Sequence, residues 1–147
     1  MARFLMLDIG AGTMDLLVYD TDTDLHYKAV VRSPVLSVAE SADRLEGKLL
    51  LTGVEMGGGP ISGVLARKAD QGEVVMSRSA AKTIHHSEAR VTALGVHIVD
   101  DEAAEILKAG GEYTVFDIGD IERDRIARII HCLGVPFSFD AVAVLKT

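Results

Sequence analysis

The sequence predicts an α/β fold that opens with an N-terminal β-hairpin and continues as a mixed sheet flanked by helices. Two apolar runs, 4–7 and 16–19, lie on either side of a glycine-rich turn at 10–13, a pattern typical of a hairpin. We therefore expect residues 3–9 and 14–20 to pair as antiparallel strands. Beyond them, β-prone runs alternate with segments of helical periodicity, which predicts parallel strands and crossover helices.

The elements after the hairpin are bounded by turn and cap residues. Pro34 ends a third strand. Gly47, Gly72 and Gly95 fit the ends of successive helices, and Ser79 fits the cap of the third helix. We therefore expect strands at 25–31, 48–54, 73–76, 96–99, 113–118 and 141–145, and helices at 37–45, 60–70, 80–94, 101–108 and 121–133.

The composition permits one domain and argues against several functional classes. A chain of 147 residues, 48% of them hydrophobic, can bury a single core. No apolar run approaches the roughly 18 residues of a membrane span, and the net charge of −7 argues against a nucleic-acid-binding surface. The chain has one cysteine, Cys132, and so cannot form an internal disulfide, which fits a cytoplasmic protein. We expect Cys132 to be buried.

The turn Gly10-Ala11-Gly12-Thr13 has the composition of a phosphate-binding loop. Its glycines lack the Cβ atoms that would keep a ligand off the backbone, and its N–H groups and the Thr13 hydroxyl are donors for an anion. Asp8 and Asp15 flank the turn. A carboxylate beside a phosphate requires a cation between them, and Mg²⁺ takes one or two carboxylates with several waters. The pattern therefore predicts a nucleotide phosphate bound with Mg²⁺.

A second glycine-rich stretch, Gly57-Gly58-Gly59-Pro60, lies between a predicted strand and a predicted helix. Pro60 suits the first turn of a helix, and Gly57, Gly58 and Gly59 would let an anion approach the helix N-terminus. The same residues would equally serve as a flexible connection. If they bind an anion, we expect this loop to face the same cleft as the turn at 10–13.

The hairpin resembles the first phosphate loop of the superfamily that contains actin, sugar kinases and heat-shock chaperone ATPases. The resemblance rests on the pattern Asp8-x-Gly10-x-Gly12-Thr13-x-Asp15 between apolar strands. It implies a ribonuclease-H-like lobe in which Asp8 orients Mg²⁺ through water and Asp15 positions a metal-bound water or fixes the hairpin. The ATP phosphates would be cradled by Gly10, Ala11, Gly12 and Thr13. The superfamily's second phosphate loop and adenosine pocket have no counterpart here, so residues 1–147 are expected to be one lobe of a longer, bilobal protein.

Several longer stretches resemble one prokaryotic branch, a family labelled as related to pyruvate formate-lyase activating enzyme. They are LDIGAGTMDLLVYD, LTGVEMGGGP, SPVLSVAE at 33–40 and the closing FDAVAVLKT. A radical activase needs three neighbouring cysteines to hold an iron–sulfur cluster, and this chain has one cysteine. We therefore expect no iron–sulfur cluster and take no reaction from the label.

Two functions fit these observations. The first is a nucleotide-phosphate-binding lobe of an ATPase or kinase, with Asp8 and Asp15 as its catalytic carboxylates and little hydrolysis by the chain alone. The alternative is a regulatory or scaffold domain that binds a partner or a small anion without turnover. An isolated lobe would expose the apolar face that meets its missing half, so we expect a homo-oligomer. The series Arg123, Arg125 and Arg128 is interpreted as the solvated side of a helix.

Overall fold

The computed structural model describes residues 1–54, 59–119 and 121–146. The chain divides into two compact units, one made of Met1–Pro34 with Ile121–Thr147 and the other of Val35–Asp120. In chain order the elements are β1 (Arg3–Ile9), β2 (Thr13–Asp20), β3 (Leu25–Arg32), α1 (Pro34–Asp43), β4 (Leu49–Thr52), α2 (Gly59–Gln71), β5 (Val74–Ser77), α3 (Arg78–Ile84), α4 (Glu88–Thr92), β6 (His97–Val99), α5 (Asp101–Gly110), β7 (Thr114–Asp117), α6 (Arg123–Cys132) and β8 (Ala141–Lys146).

The first unit contains a mixed sheet with the strand order β3-β2-β1-β8. Strands β1 and β2 pair antiparallel, as do β2 and β3, whereas β8 lies parallel to β1. The predicted hairpin is therefore confirmed. One face of this sheet is apolar and buried because side chains alternate along each strand, and its buried residues are Leu5, Leu7, Ile9, Met14, Leu16 and Val18.

The end of the hairpin away from the turn is held by an ion pair. The Arg3 guanidinium donates to Asp20 Oδ2 from Nη2 at 3.0 Å and from Nε at 3.3 Å. Asp20 Oδ1 accepts from the N–H of Asp22 at 3.0 Å. The hydrogen bond from Arg3, aided by the bond from Asp22, lowers the pKa of the Asp20 carboxyl below its ordinary value.

The second unit contains a parallel sheet with the strand order β6-β5-β4-β7. Its central strands are buried on both faces, as the apolar runs LLL of β4 and VVM of β5 predict. Helix α2 adds buried side chains from one of its faces. The core of this unit includes Leu49, Leu51, Ile61, Leu65, Met76, Ala80, Val91, Val96 and Ile118.

The structure corrects several sequence-based expectations. The expected single sheet is two sheets, one in each unit. The helix expected at 80–94 is two helices, because His85 is extended and its Nδ1 accepts from the Ser87 N–H at 2.9 Å. Ser77, rather than Ser79, caps α3 by accepting from the Ala80 N–H. Cys132 is exposed rather than buried. Within the described residues, no helix is both long and apolar enough to cross a bilayer.

Candidate phosphate and metal site at the hairpin tip

The tip of the hairpin is a tight turn between β1 and β2. The Gly10 N–H donates to the Thr13 carbonyl oxygen at 2.9 Å. Asp8 and Asp15 are direct partners in the register of the two strands. The two carboxylates therefore flank the turn, which is the placement that the sequence pattern predicts.

Ser33, which follows β3, fixes the orientation of the turn. Its hydroxyl donates to the Gly10 carbonyl oxygen at 2.6 Å, and its N–H donates to the Gly12 carbonyl oxygen at 3.0 Å. Ser33 is fully buried. The two turn carbonyls, which would repel an anion, are thus engaged by Ser33. Sequence reasoning missed this residue because a serine before a proline indicates only the end of a strand.

The donors of the turn are available to a ligand. The N–H groups of Ala11 and Gly12 donate to no acceptor within the described part of the chain. The Thr13 side chain is exposed beside them. Successive N–H groups of this kind form an anion-binding concavity. The arrangement suits a phosphate or another small oxyanion.

Neither the backbone conformation nor the packing of the turn requires glycine at position 12. Its φ angle lies outside the left-handed region, and a Cβ built on it would have no atom within 4 Å. A turn that needed glycine for its own geometry would show a positive φ or a close neighbour. A ligand that approaches the backbone would therefore occupy the open space above Gly12.

The two aspartates form an uncompensated pair. Like charges directly opposite each other in neighbouring strands are destabilising. Asp8 Oδ1 is buried and has no hydrogen-bond partner within the described residues, while Asp15 is exposed. An unsatisfied buried acceptor costs about 1–3 kcal/mol. A cation between the two carboxylates would remove both penalties.

The donor set fits Mg²⁺ better than a cation that needs an all-protein cage. No group of three or more histidine, cysteine or acidic residues lies close enough to hold a metal in the described ranges. Mg²⁺ keeps several waters and is bound through one or two carboxylates together with substrate phosphates. Asp8, with its buried and unpartnered oxygen, is the residue that would hold it.

Arg125 on α6 contradicts the interpretation of its helix face as solvated. Arg123 and Arg128 are exposed, but Arg125 is half-buried and its Nη2 donates to the Arg32 carbonyl oxygen at 2.7 Å. The Arg32 carbonyl belongs to the same peptide group as the Ser33 N–H. Helix α6 therefore anchors the segment that holds the turn.

The second glycine-rich stretch is only partly described. Gly57 and Gly58 lie outside the described residues, and Gly59 is the first residue of α2 in the second unit. Pro60 follows Gly59 in the first turn of that helix, where its missing N–H has no intrahelical partner. The expectation that this loop shares a cleft with the turn at 10–13 stays a prediction.

The fold and the site define a mixed α/β protein with a candidate oxyanion site at an N-terminal hairpin. The chain belongs to the family described as "Putative pyruvate format-lyase activating enzyme (DUF1786)", whose model matches residues 56–146. The matched range includes α2 through β8, and the hairpin lies outside it. A search of curated proteins gave no match to the chain.

Proposed function

We propose that the hairpin tip binds the phosphate groups of a nucleotide together with Mg²⁺, as one lobe of an actin- or sugar-kinase-like ATPase or phosphotransferase. The observation that carries the proposal is the buried oxygen of Asp8, which has no partner among the described residues, beside the Ala11 and Gly12 N–H groups, which have no acceptor there. The Asp8 oxygen suits a cation, and the backbone N–H groups suit an oxyanion. A metal-bound phosphate has both charges in one ligand.

Each residue of the tip has a defined part in this proposal. The N–H groups of Ala11 and Gly12 and the Thr13 hydroxyl donate to phosphate oxygens. Asp8 would hold Mg²⁺, directly or through a water, and Asp15 would orient a water from the opposite strand. When bound, Mg²⁺ neutralises the charge that develops on the phosphoryl oxygens. Catalysis would rest on orientation and charge rather than on a covalent intermediate.

The strand order also supports the proposed superfamily. The resemblance implies a lobe with an N-terminal hairpin in a mixed sheet flanked by helices. The first unit has this arrangement, in the order β3-β2-β1-β8. The second unit is then an insertion between β3 and α6. We propose that the two units together are one lobe of a larger nucleotide-binding protein.

A regulatory or scaffold domain is the second candidate function. Strand β8 favours it, because its side chains from Ala141 to Leu145 are exposed and apolar, which suits a protein partner better than a substrate. The activity in the family description adds no third candidate. One cysteine cannot supply the three thiolates that an activase cluster needs.

The test is a calorimetric titration of the chain with ATP in Mg²⁺ and again in EDTA. We expect binding in Mg²⁺ that EDTA abolishes. Asp8→Asn should weaken binding by about tenfold or more, because it removes the charge that faces the metal. The same substitution should slightly raise the stability of the free protein, because it relieves the repulsion with Asp15.

Asp22→Asn is the matched control, since Asp22 lies in the turn at the other end of the same hairpin. It should leave ATP affinity unchanged. Binding that is equal in Mg²⁺ and EDTA, or equal in the two variants, would contradict the proposed metal site. Absence of any binding would favour the scaffold function.

A further inference from the structure

A small cavity lies at the carboxyl end of the parallel sheet in the second unit. It is lined by the last residues of two neighbouring strands, Thr52 of β4 and Ser77 of β5, and by the first turns of α5. In open α/β sheets, ligands bind outside the carboxyl ends of the strands. The cavity of about 150 Å³ is smaller than the roughly 300–1,000 Å³ of sites for drug-sized molecules. It therefore suits a small ligand.

The alternation of side chains along the strands explains why hydroxyl groups line this cavity. Leu50 of β4 and Val75 of β5 pack against Ala104 of α5. Thr52 and Ser77 come two residues later in the same strands, so they lie on the same face of the sheet, the face that α5 covers. Polar side chains thus replace the apolar core at this end of the face.

Helix α5 supplies two carboxylates to the cavity. Asp101 and Glu105 lie one helical turn apart, on the same side of the helix as Ala104. Asp101 Oδ2 accepts from the Ser79 hydroxyl, and its Oδ1 accepts from the Ser79 N–H at 3.0 Å. These two bonds lower the pKa of the Asp101 carboxyl, which is therefore ionised at neutral pH. Glu105 has no partner within the described residues.

The Ser77 hydroxyl has a hydrogen without an acceptor. Ser77 is 5% exposed, and its oxygen accepts from the Ala80 N–H at 3.3 Å. A serine hydroxyl also has one hydrogen to donate, and that of Ser77 meets no acceptor in the described part of the chain. Buried donors in folded proteins are nearly always satisfied. A ligand in the cavity must therefore present an acceptor to Ser77.

We propose that this cavity binds a small neutral polyol through two neighbouring hydroxyls. Carboxylates only accept hydrogen bonds, so the ligand donates to Asp101 and Glu105, whereas it accepts from Ser77. A hydroxyl does both. Because the two carboxylates lie one turn apart, the two donors belong to different atoms, as in a vicinal diol and unlike a primary amide. The carboxylates would repel an anion, and a cationic ammonium has no acceptor for Ser77.

The polyol site goes beyond the proposed function and does not depend on it, because all of its residues belong to the second unit. The test is an NMR titration of the isotope-labelled chain with glycerol, erythritol and ribitol. We expect at least one of them to shift the backbone amides of Thr52, Ser77 and Glu105 in a saturable way. Ethylamine, acetamide and inorganic phosphate should not shift them. The proposal is overturned if no polyol gives saturable shifts there, or if one of these three control compounds binds there as tightly.

Matched variants assign the binding to the cavity. Glu105→Gln should weaken binding of the polyol about tenfold, because hydrogen bonds to a charged acceptor are the stronger ones. Glu102→Gln is its control, since Glu102 is an exposed residue of the same helix that does not line the cavity. It should leave the affinity unchanged. Equal affinities in these two variants would overturn the proposal.

A second pair of variants tests the hydroxyls of the sheet. Thr52→Val keeps the shape of the side chain but removes its hydroxyl, and it should weaken polyol binding several-fold. Thr114→Val is the control, because Thr114 begins β7 and its hydroxyl donates to the Glu46 carbonyl oxygen. It should keep the wild-type affinity. Far-ultraviolet circular dichroism checks that every variant is folded, and wild-type affinity in a folded Thr52→Val variant would also contradict the proposal.

Discussion

Gly12 and Gly53 both follow an apolar strand within a few residues, one in each unit, but their surroundings differ. Gly53 has φ +88°, and a Cβ built on it would overlap the Asp117 carboxylate. Gly12 lies outside the left-handed region and has nothing within 4 Å of the same position. The fold requires glycine at position 53 and does not require it at position 12.

The difference shows how a glycine-rich loop should be interpreted. Asp117 Oδ1, which a Cβ on Gly53 would overlap, accepts from the Gly119 N–H at 2.8 Å, so the space beside Gly53 is filled by the fold itself. The turn at 10–13 is instead held by Ser33, and the N–H groups of Ala11 and Gly12 have no acceptor in the described residues. A glycine that the fold does not need is the better indicator of a ligand.

Alanine substitutions should distinguish a glycine that the fold requires from one that it does not, and Gly53→Ala has the largest expected effect. Gly53→Ala should lower the free energy of unfolding by about 2–4 kcal/mol, because it combines a strained φ with an overlap on Asp117. Gly47→Ala isolates the φ term, since Gly47 has φ +82° and open space around its Cβ position. It should cost about 1–2 kcal/mol. Gly12→Ala should cost less than about 0.5 kcal/mol.

Urea unfolding measures all three substitutions on one scale. Adding Asp117→Ala to Gly53→Ala should recover part of the loss, because the overlapping carboxylate is gone. A Gly12→Ala variant as unstable as Gly53→Ala would show that the turn needs glycine for its own structure.

The second prediction concerns the clamp on the turn. Ser33→Ala removes the donor to the Gly10 carbonyl oxygen and should cost about 1–2 kcal/mol of stability. It should also weaken Mg²⁺-dependent ATP binding several-fold, because the released Gly10 carbonyl can turn towards the phosphate. Ser77→Ala is the control, since Ser77 is also buried and caps α3 in the other unit. We expect Ser77→Ala to lose a similar amount of stability and to keep the wild-type ATP affinity. Equal affinities in the two variants would remove Ser33 from the site.

The smallest effect is expected at the far end of the hairpin. The pKa of Asp20 is lowered from 3.8, first by the hydrogen bond from Arg3. Its contribution to stability is therefore present above pH 3.8 and is lost as the pH falls through the lower, folded-state pKa. Asp20→Asn should flatten the acid part of the stability–pH curve and leave ATP affinity at neutral pH unchanged. An unaltered acid limb would mean that the Arg3–Asp20 pair contributes nothing.

The sequence predicted the elements whose signals are local. The hairpin followed from strand alternation around glycine, and the strands of the second unit followed from short apolar runs. The predicted start of α3 was wrong because two nearby serines, Ser77 and Ser79, were both suited to cap the helix. Ser33 and Arg125 could not be found, because their bonds to the Gly10 and Arg32 carbonyl oxygens join residues 23 and 93 positions apart. The division into two units, which depends on long-range contacts, was likewise missed.

The proposed site at the hairpin tip requires that Gly12 is glycine because a ligand approaches its backbone. The direct measurement is calorimetric titration of Gly12→Ala with ATP in Mg²⁺, beside urea unfolding of the same sample. We predict wild-type stability with affinity weakened by about tenfold or more, because the added methyl group occupies the ligand's approach to the backbone. Wild-type affinity in this stable variant would contradict the claim.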